Sequence, residues 1–104
     1  MNSDAAISIE TPRSKFDVAL EYEISIKEES RYIKKLKQYY FSSRVGLVLY
    51  VCGNDKIEKL IRRVDSELCQ KHSTKVCTCL ESDFHRPDKI LSFTTYENKI
   101  FEIV

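Results

Sequence analysis

The stretch from residue 16 to residue 27 constrains the fold most, because its side chains alternate strictly between two types. The apolar positions are Phe16, Val18, Leu20, Tyr22, Ile24 and Ile26, and the positions between them are Asp17, Ala19, Glu21, Glu23, Ser25 and Lys27. A period of two is that of a β-strand, whose successive side chains point to opposite faces. We therefore expect one long strand with Glu21, Glu23, Ser25 and Lys27 in a row on one face.

The segments around this strand predict one further strand before it and two helices after it. Residues 5–10 alternate and predict a short strand, joined to the long one by a polar connection at 11–15. Residues 28–41 change to helical spacing, with Tyr32, Leu36, Tyr39 and Tyr40 on one stripe. Residues 57–70 predict a second amphipathic helix, capped by Asn54 or Asp55.

The remaining strands complete the predicted order. The continuous apolar run at 45–52 is typical of a strand buried on both faces. Residues 75–80 predict another strand, 81–89 a polar loop, and 90–96 and 99–104 two terminal strands around a turn at Glu97 and Asn98. The order ββαβαβ followed by a hairpin indicates an α/β fold with a mixed sheet. Strands joined through helices are expected to be parallel, with right-handed crossovers.

Length and charge indicate one domain with a local basic surface. The chain has 104 residues, which is close to the commonest size of one domain, so we expect a single domain over 1–104. Seventeen basic residues nearly balance sixteen acidic ones. Between residues 27 and 44, however, only Glu28 and Glu29 oppose six cations: Lys27, Arg31, Lys34, Lys35, Lys37 and Arg44.

Several functional classes are disfavoured by the sequence. The first fifteen residues do not form a secretory signal, and no apolar run is long enough to span a bilayer, so we expect a cytoplasmic protein without a membrane partner. The two glycines, Gly46 and Gly53, cannot form a Gly-rich phosphate loop. This argues against a nucleotide-hydrolysing or dinucleotide-binding protein.

The polar face of the long strand has two interpretations. Glu21 and Glu23, with Asp4 just before the first strand, offer the carboxylate ligands that Mg²⁺ prefers. Clustered carboxylates of this kind support two-metal phosphodiester chemistry, and Lys27 could stabilise the charge that develops on phosphorus. The alternative is that a strand with one apolar and one charged face is simply half exposed to solvent.

The basic helix also has two interpretations. Its cations could follow a phosphate backbone, with Tyr32, Tyr39 and Tyr40 stacking on bases. Alternatively, the helix has a solvated charged side and its tyrosines lie in the core.

The cysteines and histidines give a weaker signal. Cys77 and Cys79 share a strand face, and Cys69 and His72 have helical spacing, but the paired C-x₂-C pattern of zinc sites is absent. We expect the four cysteines, including Cys52, to be reduced and buried. Neither His72 nor His85 has the context of a partner for a cysteine nucleophile.

An Asp before a short strand, a hairpin, a strand with Glu-x-Glu and a basic helix together resemble the PD-(D/E)XK nuclease superfamily. The resemblance is to its branch in bacterial plasmid replication-relaxation and mobilisation proteins. It is carried by SDAAI at 3–7, VALEYEISIK at 18–27, SRY at 30–32, YY at 39–40 and VLYVC at 48–52.

This resemblance implies a restriction-endonuclease-like core and a site for Mg²⁺. The ligands would be Asp4, Glu21 and Glu23, and Lys27 would assist. Two positions depart from the family pattern, because Ser3 stands where the name-giving Pro would be and Glu23 stands where many members have Lys.

Three hypotheses follow. The first is a metal-dependent nuclease whose phosphate contacts come from the basic segment: Arg31, Lys34, Lys35, Lys37 and Arg44. The second is a catalytically inactive descendant that binds DNA or a protein in plasmid or phage replication, mobilisation or regulation. The third is an interaction module that pairs with another chain through the terminal strands at 90–96 and 99–104. A homodimer is compatible with all three.

Overall fold

Six strands form one mixed sheet in a computed structural model that describes residues 4–10, 12–13, 15–69, 73–86, 88 and 90–103. The strands are β1 (Ala5–Glu10), β2 (Lys15–Glu23), β3 (Val45–Cys52), β4 (Val76–Leu80), β5 (Leu91–Thr94) and β6 (Ile100–Ile103). The helices are α1 (Glu29–Phe41), α2 (Asp55–Leu68) and α3 (Glu81–Phe84). The predicted mixed α/β class and the order ββαβαβ are confirmed.

The strands lie in the sheet in the same order as in the chain. β2, β3 and β4 are parallel neighbours, and β1, β5 and β6 add antiparallel pairs on the two sides. Helix α1 connects β2 to β3, and α2 connects β3 to β4. Because both connections step in the same direction across the sheet, crossovers of the same hand place both helices on one face.

The core between this face and the two helices contains most of the large buried side chains. Its members from the sheet include Ala19, Val48, Tyr50 and Val76, and those from the helices include Leu36, Tyr39, Ile57, Ile61 and Val64. Residues of β2 with odd numbers, including Glu21, therefore face α1 rather than open solvent. The interpretation that this face of the strand is exposed to solvent is wrong for Glu21, which is buried.

The opposite face of the sheet has its own apolar cluster. Its buried members are Val18, Leu49, Val51, Cys77, Cys79 and Phe93. Within the described ranges, α3 is the helix that packs there, with the Phe84 ring edge-on to Tyr22 at a centroid distance of 5.4 Å. Both faces of β2 are thus covered, and its residues from Phe16 to Glu23 are buried or half-buried.

Strand β2 ends at Glu23, four residues before the predicted end. Its partner β3 ends at Cys52, so no backbone remains to pair with residues 24–27. The Gly53 N–H donates to the Glu23 carbonyl, and a Cβ at Gly53 would lie 2.7 Å from the Ile24 carbonyl oxygen. After Glu23 the chain leaves the sheet by passing close over Gly53, where a side chain would collide with the Ile24 backbone. The predicted apolar positions Ile24 and Ile26 are consequently exposed.

Three smaller differences concern the ends of elements. The predicted polar loop at 81–89 begins with the short helix α3, and Pro87 and Lys89 lie outside the described residues. Helix α2 begins with the predicted cap, because the Asn54 side chain accepts the Ile57 N–H. It ends at Leu68 rather than at Gln70, which also lies outside the described residues.

The terminal hairpin is present but shorter than predicted. Asn98 has a φ of 65°, and the Thr95 N–H donates to the Lys99 carbonyl across the turn. Strand β6 is an edge of the sheet and exposes Ile100 and Phe101. Association with another chain through this edge stays a prediction.

The four cysteines are buried thiols, as expected, and none of them forms a disulfide within the described ranges. Burial raises the pKa of Cys77 to about 11 and that of Cys79 to about 12, so both thiols are protonated at neutral pH. No helix in the described part of the chain is long and apolar enough to cross a bilayer.

One buried carboxyl group between the helices was not anticipated from the sequence. Asp65 of α2 is 1% exposed and accepts a hydrogen bond from the Tyr40 hydroxyl of α1. Its Oδ2 has no hydrogen-bond partner among the described residues. Burial raises the pKa of Asp65 from 3.8 to about 6, against the opposing effect of the Tyr40 hydrogen bond.

Replacing Asp65 with Asn is expected to stabilise the protein at neutral pH. A pKa raised in the folded state favours folding below about pH 4, and this contribution is lost as the pH rises through about 6. Asn keeps an acceptor for Tyr40 without a charge. The stability gain of Asp65→Asn should therefore grow from near zero at acidic pH to roughly 3 kcal/mol at neutral pH, from about 1.4 kcal/mol per pKa unit.

Urea unfolding at several pH values measures this difference. Glu67→Gln is the matched control, because it replaces an exposed carboxylate on the same helix and should leave the free energy of unfolding nearly unchanged. An Asp65→Asn variant that is less stable than wild type at neutral pH would contradict the prediction.

Candidate nucleic-acid interface

Glu21 lies under helix α1 in a neutralising environment. Glu21 is buried, with only 3% of its surface exposed to solvent. The Lys35 Nζ lies 2.8 Å from its Oε2, and the Tyr39 hydroxyl donates to the same oxygen at 2.6 Å. A buried carboxylate is stable only when such partners compensate for its lost hydration. Both partners come from α1, so the pair also fixes that helix on β2.

Glu23 forms a second ion pair two residues further along β2. The Lys27 Nζ lies 3.3 Å from the Glu23 Oε1 and donates to the Ser25 Oγ at 2.8 Å. The Lys27 N–H also donates to the Tyr32 hydroxyl of α1. The predicted group of Glu23, Ser25 and Lys27 is therefore brought together, although Ser25 and Lys27 lie beyond the end of the strand.

A pocket of about 620 Å³ joins both ion pairs to the basic helix. It lies at the end of β2, beside α1 and above β3. Its lining residues are Glu21, Glu23, Lys27, Arg31, Tyr32, Lys34, Lys35, Gln38 and Tyr50. Burial raises the pKa of Tyr50, and the nearby Glu21 adds to this effect, so the phenol stays protonated.

Asp4 does not line this pocket. Its Oδ2 accepts the backbone N–H of Tyr22 at 2.6 Å, next to the β1–β2 ladder. Across the described residues, no group of three or more His, Cys, Asp or Glu side chains is arranged to hold a metal ion. Two other residues named in the sequence interpretation, Ser3 and His72, lie outside the described residues.

The cations of the basic segment fall into two classes. Lys27 and Lys35 pair with buried or half-buried carboxylates, and the exposed Arg44 lies 3.5 Å from Asp17. Arg31, Lys34 and Lys37 are exposed and form no ion pair within the described part of the chain. At 100° per residue, these three occupy an arc of about 120° on the outer side of α1.

The three tyrosines of α1 are core residues, as one of the two interpretations of this helix expects, and the alternative that they stack on bases is wrong. Tyr32, Tyr39 and Tyr40 are buried. Their hydroxyls bond to the Lys27 N–H, to Glu21 and to Asp65, respectively. They fill the stripe of α1 that faces the sheet and α2.

Phe41 is the aromatic residue of this region that the sequence interpretation missed. It is the last residue of α1 and is 80% exposed. It lines a second pocket, of about 770 Å³, together with Lys34, Lys37, Gln38, Ser42, Ser43 and Arg44. The available signal was its position, because it falls on the same side of the helix as Lys34 and Gln38, away from the buried stripe.

No family model, curated protein or solved structure gives a significant match to this chain. The functional interpretation therefore depends on the geometry of these two pockets and of the helix between them.

A double-mutant cycle tests the buried bond between Tyr39 and Glu21. Tyr39→Phe removes one donor from a buried carboxylate and should lower the free energy of unfolding by about 1.5–3 kcal/mol. In the presence of Glu21→Gln the same change should cost less, giving a coupling energy of about 1 kcal/mol in urea unfolding. Tyr22→Phe, on the other face of β2, should be additive with Glu21→Gln. Additive behaviour of the Tyr39 pair would show that the bond contributes nothing.

Proposed function

We propose that this protein binds nucleic acid along the outer side of α1. The observation that carries the proposal is the set of three exposed cations, Arg31, Lys34 and Lys37, that are not neutralised by carboxylates within the described ranges. Three charges on one arc of a helix create a positive potential that a phosphate backbone compensates.

The ion pairs of the neighbouring lysines separate the cations with a structural role from those that we assign to phosphate. Lys35 neutralises the buried Glu21, and Lys27 neutralises Glu23. In the proposed complex these two lysines hold α1 and the 24–28 segment in place, while Arg31, Lys34 and Lys37 contact phosphate. Arg44 extends the basic surface beyond the end of the helix, since it lines the pocket that also contains Lys34 and Lys37.

Removal of the three cations should reduce both affinity and its dependence on salt. Each phosphate contact contributes roughly 0.7 to the slope of log K against log salt for single strands, and roughly 0.9 for duplex DNA. The triple variant Arg31→Gln, Lys34→Gln, Lys37→Gln should therefore lower the slope by about 2 to 3. Fluorescence anisotropy with labelled DNA between about 50 and 200 mM salt measures this change.

The matched control removes three charges from another surface. Lys56, Lys59 and Lys99 are exposed on α2 and the terminal hairpin, and their triple change to Gln alters net charge by the same amount. It should leave most of the affinity and the slope intact. Equal losses in both triple variants would show non-specific charge attraction, and absence of any binding by wild type would refute the proposal.

A second candidate function is Mg²⁺-dependent phosphodiester hydrolysis in the same pocket. The specific observation in its favour is that Glu21, Glu23 and Lys27 line the pocket that Arg31 and Lys34 also line. The order β1, β2, α1, β3 with two acidic residues at the end of β2 is the arrangement that a restriction-endonuclease-like core implies. This supports the resemblance as a proposal for the fold and for a role in plasmid replication or mobilisation.

The donor chemistry of the site fits a hydrated divalent ion. Glu21 and Glu23 offer carboxylate oxygens, and their present partners are ammonium groups, which an incoming cation would replace. A bound ion would supply an activated water and charge stabilisation. The released Lys27 ammonium would remain close to Glu23 and could contact the phosphate.

Titration calorimetry with Mg²⁺ or Mn²⁺, together with plasmid nicking, tests this second candidate. Wild type should release binding heat and nick the plasmid, and Glu21→Gln should lose both because one of the two carboxylates is gone. Glu67→Gln, on the exposed side of α2, should keep both. Wild type without metal binding or nicking would remove this candidate while leaving the proposed nucleic-acid binding in place.

A further inference from the structure

The pocket between α1 and the end of β2 contains a buried tyrosine whose hydroxyl has no structural partner among the described residues. Tyr50 of β3 is 2% exposed and lines this pocket, next to Glu21 on the neighbouring strand. Its hydroxyl makes no hydrogen bond within the described part of the chain. The hydroxyls of Tyr32, Tyr39 and Tyr40, in contrast, are all hydrogen-bonded.

The Tyr50 oxygen borders the pocket rather than a closed interior. Among the described residues, the fully enclosed side-chain atom without a hydrogen-bond partner is the Asp65 Oδ2. The Tyr50 oxygen therefore keeps some accessible surface, and the pocket is the cavity beside it. Burial raises the pKa of Tyr50, so its hydroxyl stays protonated and is a hydrogen-bond donor. A buried donor without an acceptor costs free energy, which a ligand with an acceptor oxygen would recover.

The charge of the pocket favours a ligand with two negative charges. Its lining contains four cations and two carboxylates, which leaves two positive charges. Lys35 and Lys27 pair with these carboxylates at 2.8 and 3.3 Å. The surplus therefore lies on Arg31 and Lys34, which form no ion pair within the described ranges.

The terminal phosphate of a nucleic-acid strand matches both the donor and the charge. A phosphomonoester carries about 1.5 to 2 negative charges at neutral pH, whereas an internal phosphodiester carries about one. Tyr50 is the most buried lining residue and lies deep in the pocket, where a strand end can enter without the chain having to leave again. The pocket volume of about 620 Å³ is typical of a small-molecule site and gives room for a terminal nucleotide.

We propose that this pocket binds the terminal phosphate of a nucleic-acid strand, with the Tyr50 hydroxyl donating to a phosphate oxygen and Arg31 and Lys34 supplying the opposing charge. This inference rests on the proposed function and adds to it the class of ligand, a strand that ends in a phosphomonoester. Lys37, on the same side of α1 but outside the pocket lining, contacts the following phosphates. A phosphopeptide offers the same phosphate group, but its chain lacks the repeated charges that this row of cations matches.

Oligomers that differ only at their ends test the role of the phosphate. Internally labelled thymidine oligomers of about 12 nucleotides carry a 5′-phosphate, a 3′-phosphate or hydroxyls alone, and EDTA removes divalent ions. Wild type should bind a phosphorylated oligomer roughly 10- to 150-fold more tightly than the hydroxyl-ended one, which is the range for a hydrogen bond to a charged group. Equal affinity for all three oligomers would overturn the inference.

Tyr50→Phe removes only the hydroxyl. It should abolish most of the preference for the phosphorylated oligomer and leave affinity for the hydroxyl-ended oligomer unchanged. Tyr22→Phe is the matched control and should keep the preference, because Tyr22 lies on the other face of the sheet, outside the pocket lining. Thermal unfolding of Tyr50→Phe should match wild type, since no hydrogen bond is lost. A less stable Tyr50→Phe would show that the hydroxyl already has a structural partner and would overturn the inference.

The outcomes separate this inference from the proposed function. If all oligomers bind equally and the triple variant of Arg31, Lys34 and Lys37 weakens them, the end-binding site is refuted and nucleic-acid binding stands. Tyr50-dependent binding of a labelled phosphoserine peptide, with no binding of any oligomer, would overturn both. Absence of binding to every probe would refute the proposed function itself.

Discussion

The parallel pairing of β2 with β3 is the constraint on which the remaining structure depends. It requires a crossover over the sheet, and α1 supplies it. The next crossover, α2, steps in the same direction and therefore packs beside α1 on the same face. This placement covers the acidic side of β2, buries the tyrosines of α1, and leaves the outer side of α1 in solvent. One pocket lies between α1 and the end of β2, and the other lies at the end of α1 on that outer side.

Burial of Glu21 then determines which cations are available to a ligand. A carboxylate under a helix requires a charge partner, and Lys35 provides it with help from the Tyr39 hydroxyl. The lysine that sequence alone groups with its neighbours as a phosphate contact thus has a structural partner. Arg31, Lys34 and Lys37 point outward, where no described carboxylate pairs with them. Three exposed cations without an ion pair among the described residues therefore lie together on one side of this helix.

The elements that could be predicted are those with a strong local period or an uninterrupted apolar run. β1 and β3 have the predicted bounds, and α1 differs by one residue at its start. The prediction for β2 fails after Glu23, since alternation continues through Ile26 but the neighbouring strand has already ended. Asp65 was missed because a lone acidic residue near an apolar helical stripe gives no sign that a tyrosine from another helix will meet it.

The sequence by itself determined the α/β class, the order ββαβαβ, the basic segment and the proximity of Glu21 to Glu23, because each depends on local periodicity or on spacing within one strand. Only the tertiary structure decided that Glu21 is buried beneath α1, that Asp4 bonds to the Tyr22 backbone, and that Phe41 rather than the tyrosines faces solvent. These outcomes depend on which face each crossover helix covers and on where neighbouring strands stop pairing. Both are properties of contacts between distant segments, which no local pattern records.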